Sequence, residues 1–165
     1  MIDFESFLSE YKNKLAKIFK KERETSEESL ERGISQDNLT DILMSTPLAS
    51  FIPSEHGGFG GHTAEALSML EASSYESLPL SLMMGINGAL FLQPIANYGS
   101  EEAKREVFNR VINNAKMGGL MITEPNYGSE ALKMQTNAQY NASTQLYNVK
   151  GTKHWVVLQE WPIIG

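Results

Sequence analysis

The sequence predicts an α+β protein, helical through its longer first part and β-structured after it. Three observations carry that reading. Apolar residues recur at three- and four-residue steps as far as about Asn113. The pair Gly118-Gly119 then breaks the helical pattern. Beyond it, Thr136–Asn141 and Gln145–Lys150 flank Ala142-Ser143-Thr144 as the two arms of a hairpin. The boundary falls near residue 116, dividing the chain into residues 1–115 and 116–165.

Residues 3 to about 32 read as one amphipathic helix, with Phe4, Phe7, Leu8, Tyr11, Leu15, Ile18 and Phe19 on one stripe. From Lys20 to Arg32 the stripe fades into alternating charge, the pattern of a solvated face, and Gly33 ends it. Ser35–Met44 forms a short second helix that stops ahead of Pro47. A glycine-rich loop, Pro53–Gly61, follows. His56 and His62 could be imagined as metal ligands, but no Asp/Glu/His cluster in the sequence supports a metal site.

Thr63–Tyr75 is a third helix, with Ala64, Leu67, Met69, Leu70 and Ala72 facing inward. Pro79 suits the first turn of the next helix, Leu80–Tyr98. That helix is apolar on nearly every face, so it is expected at the centre of a domain. Its Met83, Met84, Gly85 and Gly88 suit core packing, or room for a ligand's alkyl chain. Gly99 stops it, and Ser100 caps a last helix, Glu101–Asn113.

Gly119–Thr123 is apolar and β-branched enough for a short buried strand, which Glu124-Pro125 terminates. Asn126–Ser129 reads as a tight turn in which Gly128 supplies a positive φ or a close backbone approach to a ligand. A strand ending in free amides, a threonine and a serine can hold a flat heterocycle and a phosphate together. The same residues also make an ordinary strand, proline stop and loop.

Composition narrows the function classes. With 41% hydrophobic and 21% charged residues in 165, the chain can build an ordinary core. A net charge of -6 argues against nucleic acid as partner. The absence of cysteine excludes a disulfide framework, a thiolate metal site and a cysteine nucleophile. No uninterrupted apolar run approaches the ~18 residues of a membrane span, so no membrane span is expected. The start, Met1-Ile2-Asp3-Phe4-Glu5, lacks the basic-then-apolar layout of a secretory signal, and a cytoplasmic location is expected.

Three blocks carry a family resemblance. They are Ile52–Gly61 with its Pro-x-x-x-Gly-Gly-x-Gly loop, Thr123-Glu124-Pro125 followed by Gly128-Ser129 and an acidic residue, and the aromatic-x-x-x-Gly-x-Lys-x-Trp run Tyr147–Trp155. In this order and spacing, over roughly residues 35 to 155, they resemble the acyl-CoA dehydrogenase family. The resemblance implies an N-terminal all-α helical domain in residues 1–115. After it comes an incomplete antiparallel β-barrel domain in residues 116–165, truncated before the C-terminal helical bundle.

The family binds FAD and an acyl-CoA thioester. A glutamate takes a proton from the α-carbon while a hydride leaves the β-carbon for the flavin. Carried over residue by residue, Leu120, Ile122 and Thr123 would hold the flavin's pyrimidine edge. Gly128 and Ser129 would sit near the pyrophosphate, and Trp155 would pack on the isoalloxazine ring. Val157 stands where the family has a threonine whose hydroxyl reaches the flavin, so that donor is absent. No residue is assigned as catalytic, because Glu124 and Glu130 belong to the binding loop and the family's base lies further along. No metal is implied.

The resemblance also implies an electron-transfer flavoprotein as partner and a homo-oligomer, both for the full-length form. Two alternatives remain: a remnant or helical interaction module that binds no flavin, and a related flavoprotein with oxidase or monooxygenase chemistry. Residues 156–165 depart from the family pattern. Shifted by one frame from the third base of the Val156 codon, permitted codons give Gly-Phe-Thr-Gly-Met-Ala-Asp-Tyr-Trp, which is family-like. The expectation is a frameshift near Val156 followed by about ten out-of-frame residues, frayed or poorly fitted against the barrel.

Overall fold

A computed structural model describes residues 3–25 and 34–154, with only the backbone described for 22–25. Helix α1, Phe4–Thr25, starts where Asp3 accepts from the Ser6 amide at 3.0 Å. It buries the predicted stripe at Leu8, Tyr11, Leu15 and Phe19. The expected continuation to residue 32 and the stop at Gly33 lie outside the described residues. Helix α2, Gln36–Met44, lies where a second helix was expected, is capped by the Ser35 side chain and buries Leu39, Ile42 and Leu43.

Two 3-10 turns follow, Pro47–Phe51 and Ser54–His56. The glycine-rich loop folds back on the first of them, through Phe59 N to Ala49 O at 2.9 Å and Gly60 N to Ile52 O at 3.0 Å. A Cβ on Gly58 would stand 2.0 Å from Ile52 O, so the loop closes only with glycine there. Phe59 is thereby delivered onto α1, with its ring 4.7 Å from Phe7 and 5.6 Å from Phe4.

Helix α3, Thr63–Glu76, packs on α1, and Tyr11 and Ser73 share a buried hydrogen bond of 2.9 Å. Its inward face differs from the expected one. Ala66, Met69, Ala72 and Ser73 are buried, Leu70 is half-buried, and Ala64 and Leu67 are exposed. Ser73 is the reason, since its hydroxyl is satisfied by Tyr11 and by the Met69 carbonyl at 2.8 Å and so tolerates burial.

The apolar rod comes next as α4 (Leu78–Gly85), a π-helical segment (Ile86–Leu92) and α5 (Gln93–Tyr98). Pro79 lies in its first turn as expected. Pro94 explains the wide turn: it removes an amide and would crowd the carbonyl four residues back in a regular helix. The rod is not central, because Leu80, Met84, Asn87, Gly88 and Leu92 are buried while Leu78, Leu82 and Leu90 are exposed. Gly88 serves packing, with a Cβ there falling 2.3 Å from the Phe51 ring, so it leaves no space for a ligand chain. Leu78–Tyr98 bears on the expectation about membrane spans: by length and composition alone its 21 residues pass for one, with mean hydropathy 1.4 over an 18-residue window, but one face is packed against α3 and the Pro47–Phe51 turn.

Helix α6, Glu101–Asn114, is capped by Ser100 and buries Phe108 and Val111. Ala115 then turns left-handed (φ 52) and Lys116 N reaches back to Arg110 O at 3.2 Å. The chain passes through an extended segment to β1 (Asn137–Asn141) and β2 (Leu146–Lys150), which pair antiparallel with Tyr140 opposite Tyr147. The hairpin matches the expected one, its loop fixed by Asn141 Oδ1 accepting from Ser143 N at 3.0 Å. The α+β class therefore holds.

Candidate functional site

Asn87 sets where the site begins. It is 1% exposed, and its amide nitrogen donates to Met83 O at 2.9 Å. Its carbonyl oxygen accepts from Gly118 N at 2.7 Å. A buried side-chain amide satisfied on both ends ties the rod to the segment that carries the candidate site. Gly118 lies flat on Phe91, where a Cβ would meet the ring at 2.2 Å.

From there Gly119–Thr123 runs extended, but it is not the buried strand expected. Among the described residues it pairs with no strand, and Leu120, Met121 and Ile122 are 45%, 55% and 42% exposed. The tight turn also sits two residues earlier than expected. Tyr127 N closes onto Glu124 O at 3.1 Å, placing Pro125 and Asn126 at the corners. Gly128 follows with φ outside the left-handed region and open space where a Cβ would be.

Glu124, read from sequence only as part of a loop, is the hub. It is 5% exposed and accepts from Gln135 N at 2.6 Å, Thr136 N at 2.8 Å and Lys153 Nζ at 3.1 Å. The Thr136 hydroxyl beside it, then the two amides and the Lys153 ammonium, hold its carboxyl down to about 2. That hydroxyl is buried with no partner in full hydrogen-bonding geometry, so its influence is one of proximity. Lys153 also reaches Ile122 O at 3.1 Å, and His154 N donates to Thr123 O at 2.9 Å. Gly151 makes the approach possible, since a Cβ there would lie 2.1 Å from Thr136 Oγ1. The signal that points to this hub in sequence is the lysine two residues before Trp155.

Of the expected cofactor-binding residues, Leu120, Ile122 and Thr123 lie on one extended, outward-facing segment, and Gly128 and Ser129 lie past the turn that ends it. Trp155 and Val157, and the frameshift expected near Val156, lie outside the described residues. The Ile122 carbonyl is taken by Lys153, so its amide rather than its oxygen is open. Among the described residues, the amides of Leu120 to Thr123 donate to no backbone carbonyl.

What the described residues bring together here is exposed apolar side chains, amides that donate to no backbone carbonyl among those residues and, at Gly128, open space, the kind of surface a flat heteroaromatic group can use. A second depression of about 590 Å³ lies between the His56 turn and α6, lined by His56, Arg105, Phe108 and Asn109. There the His56 ring lies tilted at 55° against Phe108, 5.2 Å between centroids, and its Nε2 faces Glu101 at 3.7 Å.

Residues 12–115 match the family model described as acyl-CoA dehydrogenase, N-terminal domain. The human mitochondrial short-chain specific acyl-CoA dehydrogenase is 33% identical over 110 residues, 66% of this chain and 26% of that protein. The chain thus spans about a quarter of the length of the curated relatives it matches. Among solved structures, butyryl-CoA dehydrogenase from Megasphaera elsdenii superposes with a TM-score of 0.74 at 19% identity, over 94% of this chain and 41% of that one. An acyl-CoA dehydrogenase complexed with FAD, from Bacillus anthracis, gives 0.69 at 24% identity, over 93% and 27%. At these identities the structural likeness establishes the fold, helical region and opening of the β region together.

Proposed function

The chain belongs to the acyl-CoA dehydrogenase family, and from that premise we propose that it is the N-terminal part of an FAD-dependent acyl-CoA dehydrogenase. The reaction is α,β-desaturation of an acyl-CoA thioester. Residues 1–115 form its helical domain, and residues 116–165 open its β-barrel. One observation carries the reading: Leu120–Thr123 is held open-faced by Asn87 on one side and by Lys153 on the other, its amides donating to no backbone carbonyl among the described residues.

The amides around Leu120 and Ile122 and the Thr123 hydroxyl would bind the flavin's pyrimidine edge, and Gly128 and Ser129 its pyrophosphate. Trp155 would pack on the isoalloxazine ring, and Val157 would stand at the flavin without the hydroxyl that the family has there. When bound, FAD supplies the hydride acceptor. The chain's own groups would bind and orient it, and among the described residues none is assigned to take the α-proton. The full-length form would pass electrons to an electron-transfer flavoprotein and assemble as a homo-oligomer.

Titrating the purified chain with FAD, followed by flavin fluorescence and visible absorbance, tests the reading. Saturable binding with a protein-bound flavin spectrum is expected. A chain that stays colourless and leaves flavin fluorescence unchanged would instead support a non-flavin remnant or interaction module.

A further inference from the structure

Two parts of the chain meet at Glu124. The ion pair with Lys153 spans 29 residues, and it closes beside Thr123 on one strand and two positions before Trp155 on the other. The pair is not an isolated surface contact. Glu124 also gathers the Gln135 and Thr136 amides at the mouth of β1, while Lys153 grips Ile122 O and approaches Met134 Sδ at 3.8 Å. The backbone bond from His154 to Thr123 runs alongside.

A carboxylate with three donors, and an ammonium with two oxygen acceptors, has no freedom to drift. We propose that Glu124 and Lys153 form a positioning clasp: they fix the spacing between the Ile122–Thr123 edge and the strand leading to Trp155, and thereby shape the cofactor's seat without touching the cofactor. This rests on the reading of residues 120–129 as a flavin seat. It adds a role for two charged residues that the cofactor itself does not require as ligands.

An ion pair that merely held the fold would matter for stability and leave a bound flavin's surroundings unchanged. A clasp makes a narrower demand. Lys153→Met removes both oxygen contacts, so the two edges lose their common anchor. Lys153→Arg keeps the charge and offers donors to the same acceptors. Glu124→Gln keeps one acceptor oxygen but loses the charge and turns an amide toward backbone donors.

The test is FAD titration of the three variants, with far-UV circular dichroism confirming the helical content of each. The expectation is that Lys153→Met and Glu124→Gln weaken FAD binding by about tenfold or more. Both should also blur the resolved bands of the bound flavin, while Lys153→Arg stays within about threefold of the parent with its bands intact. Parent-like affinity and spectrum in folded Lys153→Met would overturn the proposal. If Glu124→Gln fails to fold, the Lys153 pair decides alone.

Should the parent chain take up no FAD, the flavin reading fails and the clasp is judged by hydrogen exchange. Faster exchange confined to the amides of Gln135, Thr136 and His154 in Lys153→Met would keep it. Unchanged exchange there would end it.

Discussion

Thr123 and Ser129 are the two side-chain hydroxyls that the proposed flavin seat would engage. Each would pair with a polar atom of the cofactor that binding removes from water. Thr123→Ala and Ser129→Ala should therefore each weaken FAD binding by about 1–3 kcal/mol, measured by titration of the apoprotein. Unchanged affinity in both would mean the segment is only a turn. Glu124 invites a different measurement. Its carboxyl sits at about 2 in the folded chain against 4.5 when unperturbed. Between those values the unfolded state binds the extra proton, so stability rises with pH. The stabilisation is complete above about 4.5 and is lost as pH falls through 2. Thermal melts across that window should show a flatter pH dependence in Glu124→Gln than in the parent chain, and equal slopes would contradict the cradle. Thr123, Gly128 and Ser129 were singled out as candidates because their motif lies within seven consecutive residues. Glu124 was not, because its donors arrive from 11, 12 and 29 residues away. Gly151 shows the same limit: sequence marks it as a glycine in a fingerprint, and only the packing shows Thr136 against it.

Among the elements, what could be read was local. The short helix after Ser35, the cap at Ser100, the proline in the first turn of α4 and the hairpin all depend on neighbours within a few residues. The segment Gly119–Thr123 failed as a buried strand because apolar, β-branched composition says nothing about what will cover it. Helix α3 was rotated from its expected face because a serine counts as polar until its partner, Tyr11, is known. The wide turn had a signal that went unused, Pro94 inside an otherwise helical apolar run. Asn87, also inside that run, is the element-scale joint. Asn87→Leu should leave the buried Gly118 amide without its acceptor and destabilise the chain by about 1–3 kcal/mol in urea unfolding. A loss under half of that would show that water replaces the side chain.

For the whole molecule, the division near residue 116 coincides with the turn at Ala115 and the Asn87–Gly118 tie, so the helical and β-structured parts are joined by a buried polar link rather than a free linker. At this scale we expect no dehydrogenase activity from these 165 residues alone with any acyl-CoA thioester, since among the described residues no group is assigned as general base. Positioned proton transfer accounts for ~10²–10⁴-fold of such a rate. Substrate-dependent bleaching of flavin by the chain alone would refute this. The π-helical segment finally makes the number of residues in the rod a structural variable in its own right. Leu80 and Leu92 are both fully buried, yet twelve steps of a regular helix would set them about 120° apart. One extra residue in the wide turn takes back about 100° of that and returns Leu92 to the core. Deleting exposed Ala89 would restore an ordinary hydrogen-bond ladder and keep Leu92 about 20° from Leu80, so its cost would come from Pro94 facing a regular turn. Such a deletion should lower Tm less than deleting exposed Glu71 from the regular turns of α3, so a gap placed here in an alignment would mark a lost bulge at constant helix phase, not a trimmed loop.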